Sequence, residues 1–291
     1  MRFDGIILQS PSEIAFRIFG TPVYFYGVTM ALAVLACILC ANYFYKKFYP
    51  PACHPEFISG SNHLINEGKI LKQVQDDITI LDLAPYLIIA GLLGARLYYC
   101  ALNFSYYAAH PLEVFAIRQG GLSVHGMIIV GAAALWAFAK HYKLSVAKLL
   151  DTFAVGAILG QTIGRWGNFF NQEAFGVPSD GWLKLFIPVE KRPLEYVGFD
   201  FFHPAFLYES VLNLVIFAVL VLLFRRLSAR PGTIACLYLI LYSTVRIFVE
   251  SLRVDSVLNI GTVPFAQIIS VVIIFVAAIF MIKLKYVHRN N

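Results

Sequence analysis

Apolar and polar residues do not alternate along this chain; they segregate into blocks. Seven predominantly apolar runs, at 23–44, 81–101, 122–140, 149–166, 205–224, 232–250 and 263–282, are separated by shorter polar stretches. At ~1.5 Å of helical rise per residue, runs of ~18 or more residues cross a hydrocarbon layer ~30 Å thick. The pattern predicts an all-α membrane protein, a single membrane domain over 1–291 with seven transmembrane helices. Composition agrees: 59% of residues are hydrophobic, 14% are charged and the mean hydropathy is +0.71, against about 25% charged residues in a typical soluble domain. The first run is too long for a signal-peptide core, and no small-residue cleavage site follows it before Lys46 and Lys47. It is expected to stay as a permanent helix.

Charge then orients the helices. Thirteen Lys and Arg residues fall in the loops of one side, among them Lys46, Lys47, Lys69, Lys143, Arg225 and Lys283, and seven fall on the other. The positive-inside rule places the N-terminus outside and the C-terminus in the cytoplasm. It makes 1–22 an external arm, 45–80 a cytoplasmic loop with a possible insertion at 53–77, and 167–204 an external cap. That cap, between spans four and five, is rich in Trp, Phe, Pro and Gly, and it is too ordered in composition for a linker. The isoelectric point near 9.0 needs no nucleic acid to explain it, because basic residues beside membrane spans follow from topology.

The same orientation assigns depths to the polar residues within the spans. Arg96, Arg165 and Arg246 lie late in outward-running helices, Glu250 follows Arg246 by one turn, and Tyr26, His125 and Glu209 lie early in inward-running ones. All are expected in the outer third of the membrane. A charge there costs ~2.5–3.5 kcal/mol on insertion scales and usually faces the bundle interior. Simple pairing of Arg246 with Glu250, or arginines reaching back to the headgroups, is the alternative for any one of them. Convergence of three arginines, two glutamates and a histidine from five helices favours a shared site.

Four motifs supply its chemistry. Gly156, Gly160 and Gly164 recur every four residues just before Arg165, Asn168 and Asn171, a spacing that lets another helix or a lipid approach the backbone. Tyr242, Arg246, Glu250 and Arg253 follow one helical stripe. A planar guanidinium suits a phosphate, and the asparagines add neutral donors. Gly120-Gly121-Leu122-Ser123-Val124-His125-Gly126 sets an imidazole at a helix entrance, as a hydrogen-bonded structural residue or as a proton acceptor. His203-Pro204 with Tyr208-Glu209 opens the fifth span. Cys37, Cys40, Cys53, Cys100 and Cys236 show no metal-ligand spacing and read as small core residues.

The run Gly164-Arg165-Trp166-Gly167-Asn168-Phe169-Phe170-Asn171 with Glu173 and Gly176 closely resembles the signature of the bacterial prolipoprotein diacylglyceryl transferase family. The resemblance extends to Tyr26-Gly27, Gly94-Ala95-Arg96, the glycine-rich run ending at Gly126, His203-Pro204, Tyr208-Glu209 and Tyr242 through Arg253, and so covers 22–255 in order. The 53–77 loop is longer than the family suggests, and Ala205-Phe206 stands where a Ser-Gln-like pair is more usual. Both departures leave the charged positions intact.

The resemblance implies phosphatidylglycerol as donor and the lipobox cysteine of a preprolipoprotein, still carrying its signal peptide, as acceptor. It also implies a multi-pass bacterial inner-membrane enzyme with no metal or cofactor. On that reading His125, Arg165, Arg246, Glu250 and Tyr26 are the expected catalytic residues. His125 is the first-choice base, ahead of Glu250 or Glu209. Arg165, Asn168, Asn171, Glu173, Gly176, Arg96, Glu209, Tyr242 and Arg253 are expected to bind substrate. Rival classes fit less well. A retinal pigment needs a lysine in its last helix, which 263–282 lacks, and a transporter needs midplane polar groups with internal repeats, of which none is apparent.

Overall fold

The computed structural model describes residues 5–50, 78–117, 120–254, 259–260 and 263–290. The expected insertion at 53–77, with Cys53 and Lys69, lies outside them. Among the described residues, seven helices are long and apolar enough to span a membrane: α1 (Phe25–Phe48), α2 (Ile80–Leu102), α3 (Val124–His141), α4 (Val146–Asn171), α5 (Ala205–Leu227), α6 (Thr233–Glu250) and α7 (Phe265–Asn290). The mostly helical, seven-span architecture is therefore the one the apolar blocks predict.

Helix ends move from the expected positions where side-chain packing extends them. α4 runs to Asn171, beyond the expected 166, because its last turn is held by aromatic contacts. Phe170 stacks on Phe25 with ring centroids 4.2 Å apart, while Trp166 and Phe169 meet Phe206 at 5.7 and 5.1 Å. Short strands lie outside the spans, and no periodicity announced them. β1 (Ile6–Leu8) pairs in parallel with β4 (Leu183–Phe186), which pairs antiparallel with β5 (Phe201–Phe202). β2 (Ile14–Ile18) and β3 (Thr21–Tyr24) form a hairpin that runs directly into α1.

The backbone divides into two compact units, Met1–Ala41 with Leu150–Asn291, and Asn42–Leu149. In the first, the segment after α4 folds around Phe175, Leu185, Ile187, Phe202 and Phe206, all buried. Arg192 staples it, donating to the carbonyls of Ile187 (2.7 Å) and Val197 (3.0 Å) and to Asp200 (2.8 Å). At the opposite end of α4, fully buried Asp151 accepts from the backbone N–H groups of Gly232 (2.7 Å) and Ala235 (2.8 Å). It thereby caps α6, whose own cap residue is a glycine with φ 95° and no side chain to offer.

The glycine stripe of α4 faces α1 and admits a helix. A β-carbon on Gly156 would collide with the carbonyl of Cys37, one on Gly160 would lie 2.9 Å from the carbonyl of Ala33, and one on Gly167 would lie 2.8 Å from Thr29 Oγ1. At Gly164 the nearest atom is Met30 Sδ, at 3.6 Å. Gly156→Ala is therefore expected to destabilise the protein in detergent by ~1–3 kcal/mol, because rigid backbone must move. Gly164→Ala is expected to be neutral or stabilising, since alanine gains up to ~1 kcal/mol of helix propensity. Thermal unfolding of the two purified variants checks the contrast; equal behaviour would refute close α1–α4 contact.

Candidate active site

In the first unit, the C-terminal parts of α4 and α6 and the N-terminal parts of α1 and α5 bring a set of polar side chains to one end. Arg165 Nη2 contacts Glu209 Oε1 at 2.6 Å, Arg246 Nη1 lies 3.5 Å from Glu209 Oε2, and Arg246 Nη2 contacts Glu250 Oε2 at 2.5 Å. Four charges from three helices thus alternate in sign. The carboxylates sit deep, Glu209 at 2% exposure and Glu250 at 5%, whereas the Arg165 and Arg246 side chains keep 20% and 18%.

Local structure explains each placement. Arg246 and Glu250 are one turn apart on α6, where helical neighbours pair. Glu209 is the fifth residue of α5, Arg165 lies six residues before the end of α4 and Arg246 one turn before the end of α6, so the three side chains come from the halves of their helices that lie at one end of the unit. Ser210 Oγ donates to the Thr162 carbonyl (2.9 Å) and ties α5 to α4 beside the Arg165–Glu209 pair.

The chain continues the network past the end of α4. Arg165 Nη1 donates to Asn168 Oδ1 (3.3 Å), and Asn168 Nδ2 donates to Glu173 Oε1 (2.8 Å). Glu173 can return to Asn168 because Gln172 and Ala174 both take left-handed backbone, φ 56°, an unusual conformation for residues other than glycine. Tyr26, in the first turn of α1, lies within electrostatic reach of both Arg165 and Glu173, and its ring occupies the space a side chain on Gly167 would need.

The remaining expected residues are placed differently. Gly176 lies in a bridge with Arg253, with His203 Cβ 2.8 Å from where its β-carbon would be, so it serves a crowded crossing of three segments. Arg253 lies beyond the end of α6 at Glu250 and does not extend the helical stripe of Tyr242, Arg246 and Glu250. Tyr242 stacks on Tyr238, ring centroids 5.9 Å apart. Asn171 is the last residue of α4.

Arg96 and His125 belong to the second unit. There α2 and α3 approach so closely at Gly94 and Gly126 that a β-carbon on Gly94 would lie 2.5 Å from the Gly126 carbonyl. Arg96 is 5% exposed and donates to four backbone carbonyls, those of Glu113 (2.5 Å), Val114 (2.8 Å), Gly120 (2.7 Å) and Gly121 (3.0 Å). Gly120 and Gly121, at φ 91° and 71°, turn those carbonyls inward, and a β-carbon on Gly121 would meet Arg96 Nη1 at 2.6 Å. The guanidinium is a clamp on the segment leading into α3, and most of the donors a substrate would use are spent on the backbone. His125 lies in the first turn of α3, exposed, with the Tyr98 ring 6.2 Å away.

A multi-span membrane protein presents here two partly open guanidiniums, each paired with a buried carboxylate, an arrangement whose charge and planarity suit an anionic group. Among the described residues no His, Cys, Asp and Glu group has metal-binding geometry. The chain belongs to the prolipoprotein diacylglyceryl transferase family, whose model matches residues 13–283, and it is accordingly a transferase. It is 38% identical over 287 residues to the phosphatidylglycerol–prolipoprotein diacylglyceryl transferase of Synechocystis sp., covering 97% of this chain and 92% of the relative. The enzyme of the same name from Nostoc sp. is 39% identical, covering 91% of this chain and 87% of its own length. That from Synechococcus elongatus is 47% identical over 68% of this chain and 70% of its own.

Proposed function

We propose that the chain transfers the diacylglyceryl group of phosphatidylglycerol to the lipobox cysteine of a preprolipoprotein. The acceptor thiolate attacks the glyceryl carbon that bears the phosphate, an S–C bond forms as the C–O bond breaks, and glycerol phosphate leaves with the bonding electrons. The product is a thioether, and the thiol proton goes to a base. The observation that carries this reading is the pair Arg165 and Arg246, held at adjoining helix ends with their outer faces open, in a chain of this family.

The chemistry suits that pair. A phosphodiester carries one negative charge and the departing monoester gains a second, so fixed cations stabilise the transition state more than the ground state. Asn168 and Tyr26 adjoin Arg165 and orient the headgroup. His125 is the first-choice base, with Glu250 and Glu209 the alternatives. Each glutamate engages an arginine, while an imidazole is the side chain suited to proton transfer near neutral pH. The nucleophile comes from the acceptor, which accounts for a chain whose own cysteines are dispersed.

The bacterial inner membrane is the location, with the reacting groups toward the outer leaflet, the arm at 1–22 and the cap at 167–204 outside, and the loop at 45–80 in the cytoplasm. Loop charge supports this orientation. Single cysteines introduced at positions 69, 143 and 182 are expected to be shielded, shielded and reactive toward an impermeant thiol reagent in intact cells. External reactivity at 69 would reverse the orientation.

Purified enzyme given labelled phosphatidylglycerol and a lipobox peptide tests the reaction itself. Arg246→Lys replaces a planar fork by a point charge and is expected to lower kcat by ~10²-fold or more with the protein still folded. Near-normal turnover would exclude a bidentate role. His125→Gln is expected to lower the chemical rate by ~10²–10⁴-fold. Its rate should recover as pH approaches the acceptor thiol's pKa, ~8.5, where the peptide ionises unaided. A mutant that stays slow across that range would mark His125 as structural and direct the search to Glu250 and Glu209.

A further inference from the structure

Glu209 occupies a position from which it engages both arginines of the site at once. It lies behind Arg165 and Arg246, 2% exposed, and gives one oxygen to each, at 2.6 and 3.5 Å. The Arg165 and Arg246 side chains keep 20% and 18% exposure where the carboxylate is sealed, so the arginines are the accessible part of the group. The residues around Glu209 hold it there: Phe206, one turn earlier, is 1% exposed beneath Trp166 and Phe169, and Ser210 is bonded to the Thr162 carbonyl.

The consequence is a charge balance. Arg165 and Arg246 contribute two positive charges, and Glu209 and Glu250 two negative ones, so the quartet is formally neutral. Two uncompensated guanidiniums in a low-dielectric site would bind a phosphate monoester dianion more tightly than a diester monoanion. The dianion is the product, and a site that holds it best turns over slowly. We propose that Glu209 is a positioning residue with two effects: it keeps the guanidiniums adjacent for the phosphate, and it lowers the charge of the site so that the phosphate monoester leaves. This rests on the reaction proposed above.

The decisive variant is Glu209→Gln, which removes the charge and keeps the shape. Inhibition by added glycerol phosphate is expected to tighten at least about tenfold, since a unit charge near the ligand is withdrawn. Steady-state kcat should fall further than the single-turnover rate, giving a burst of thioether product, while KM for phosphatidylglycerol does not rise. Glu209→Asp, which retains the charge, should return glycerol phosphate inhibition toward that of the parent. Unchanged inhibition in Glu209→Gln, or an aspartate variant that behaves like the glutamine one, would overturn the proposal.

If Glu209→Gln does not fold, the unaltered enzyme still decides. A neutral quartet predicts less than about tenfold preference for glycerol phosphate over its methyl diester as inhibitors. A preference above about a hundredfold would mean that the arginine charge is uncompensated and would overturn the idea. Failure of the unaltered enzyme to use phosphatidylglycerol at all would instead overturn the proposed reaction.

Discussion

A charge placed in hydrocarbon must find an opposite charge, and the ion-pair chain Arg165–Glu209–Arg246–Glu250 is how this protein meets that requirement. Its members come from α4, α5 and α6, so pairing them also fixes where those helices meet. Glu209 is the hinge of the arrangement because each of its oxygens serves a different helix. Removing one partner of a buried pair leaves an uncompensated charge and costs ~3–5 kcal/mol. The geometry of the site and the register of three helices are therefore one constraint.

The glycines of α4 act on the same end by a different force. They carry no charge and allow α1 to approach until backbone meets backbone at Cys37 and Ala33. That close approach delivers Tyr26 to the Arg165 neighbourhood and lets Phe25 stack on Phe170. Dispersion and aromatic packing thus add a fourth helix to the three that electrostatics joins. In the second unit, Arg96 organises backbone. It spends its donors on carbonyls that two left-handed glycines present, and so shapes the approach to His125.

The spans were legible because crossing a membrane demands long apolar runs, and little else in a sequence looks like one. The strands were not, since two to five residues in a Gly- and Pro-rich segment carry no usable period and depend on partners far along the chain, as Ile6–Leu8 depends on Leu183–Phe186. Within the site, legibility followed distance in sequence. The Arg246–Glu250 pair could be read from its spacing, but Glu209 bridging both arginines could not, because the register of antiparallel helices is a tertiary fact. The charge of Arg96 is visible in the sequence, but the four carbonyls that engage it are not, since they lie 17 to 25 residues away along the chain. The turn returning Glu173 to Asn168 was hidden too, resting on left-handed Gln172 and Ala174, residues with no special preference for that conformation.

Why the charged quartet exists at all bears on its purpose. Three helices can be held together in a membrane by small and apolar residues without any desolvation cost, as α1 and α4 are. Replacing a buried ion network by well-packed apolar side chains is often neutral or stabilising. Stability alone is therefore a poor reason to keep two arginines and two glutamates at the ends of spans. An asymmetry in their exposure points to a better one, because the carboxylates are sealed while the guanidiniums keep about a fifth of their surface open. A network built only for cohesion gives no reason for the two signs to differ in exposure. One built to present cations toward an anionic group, with their positions already settled on rigid helices, leaves the cations at the surface and hides the anions behind them.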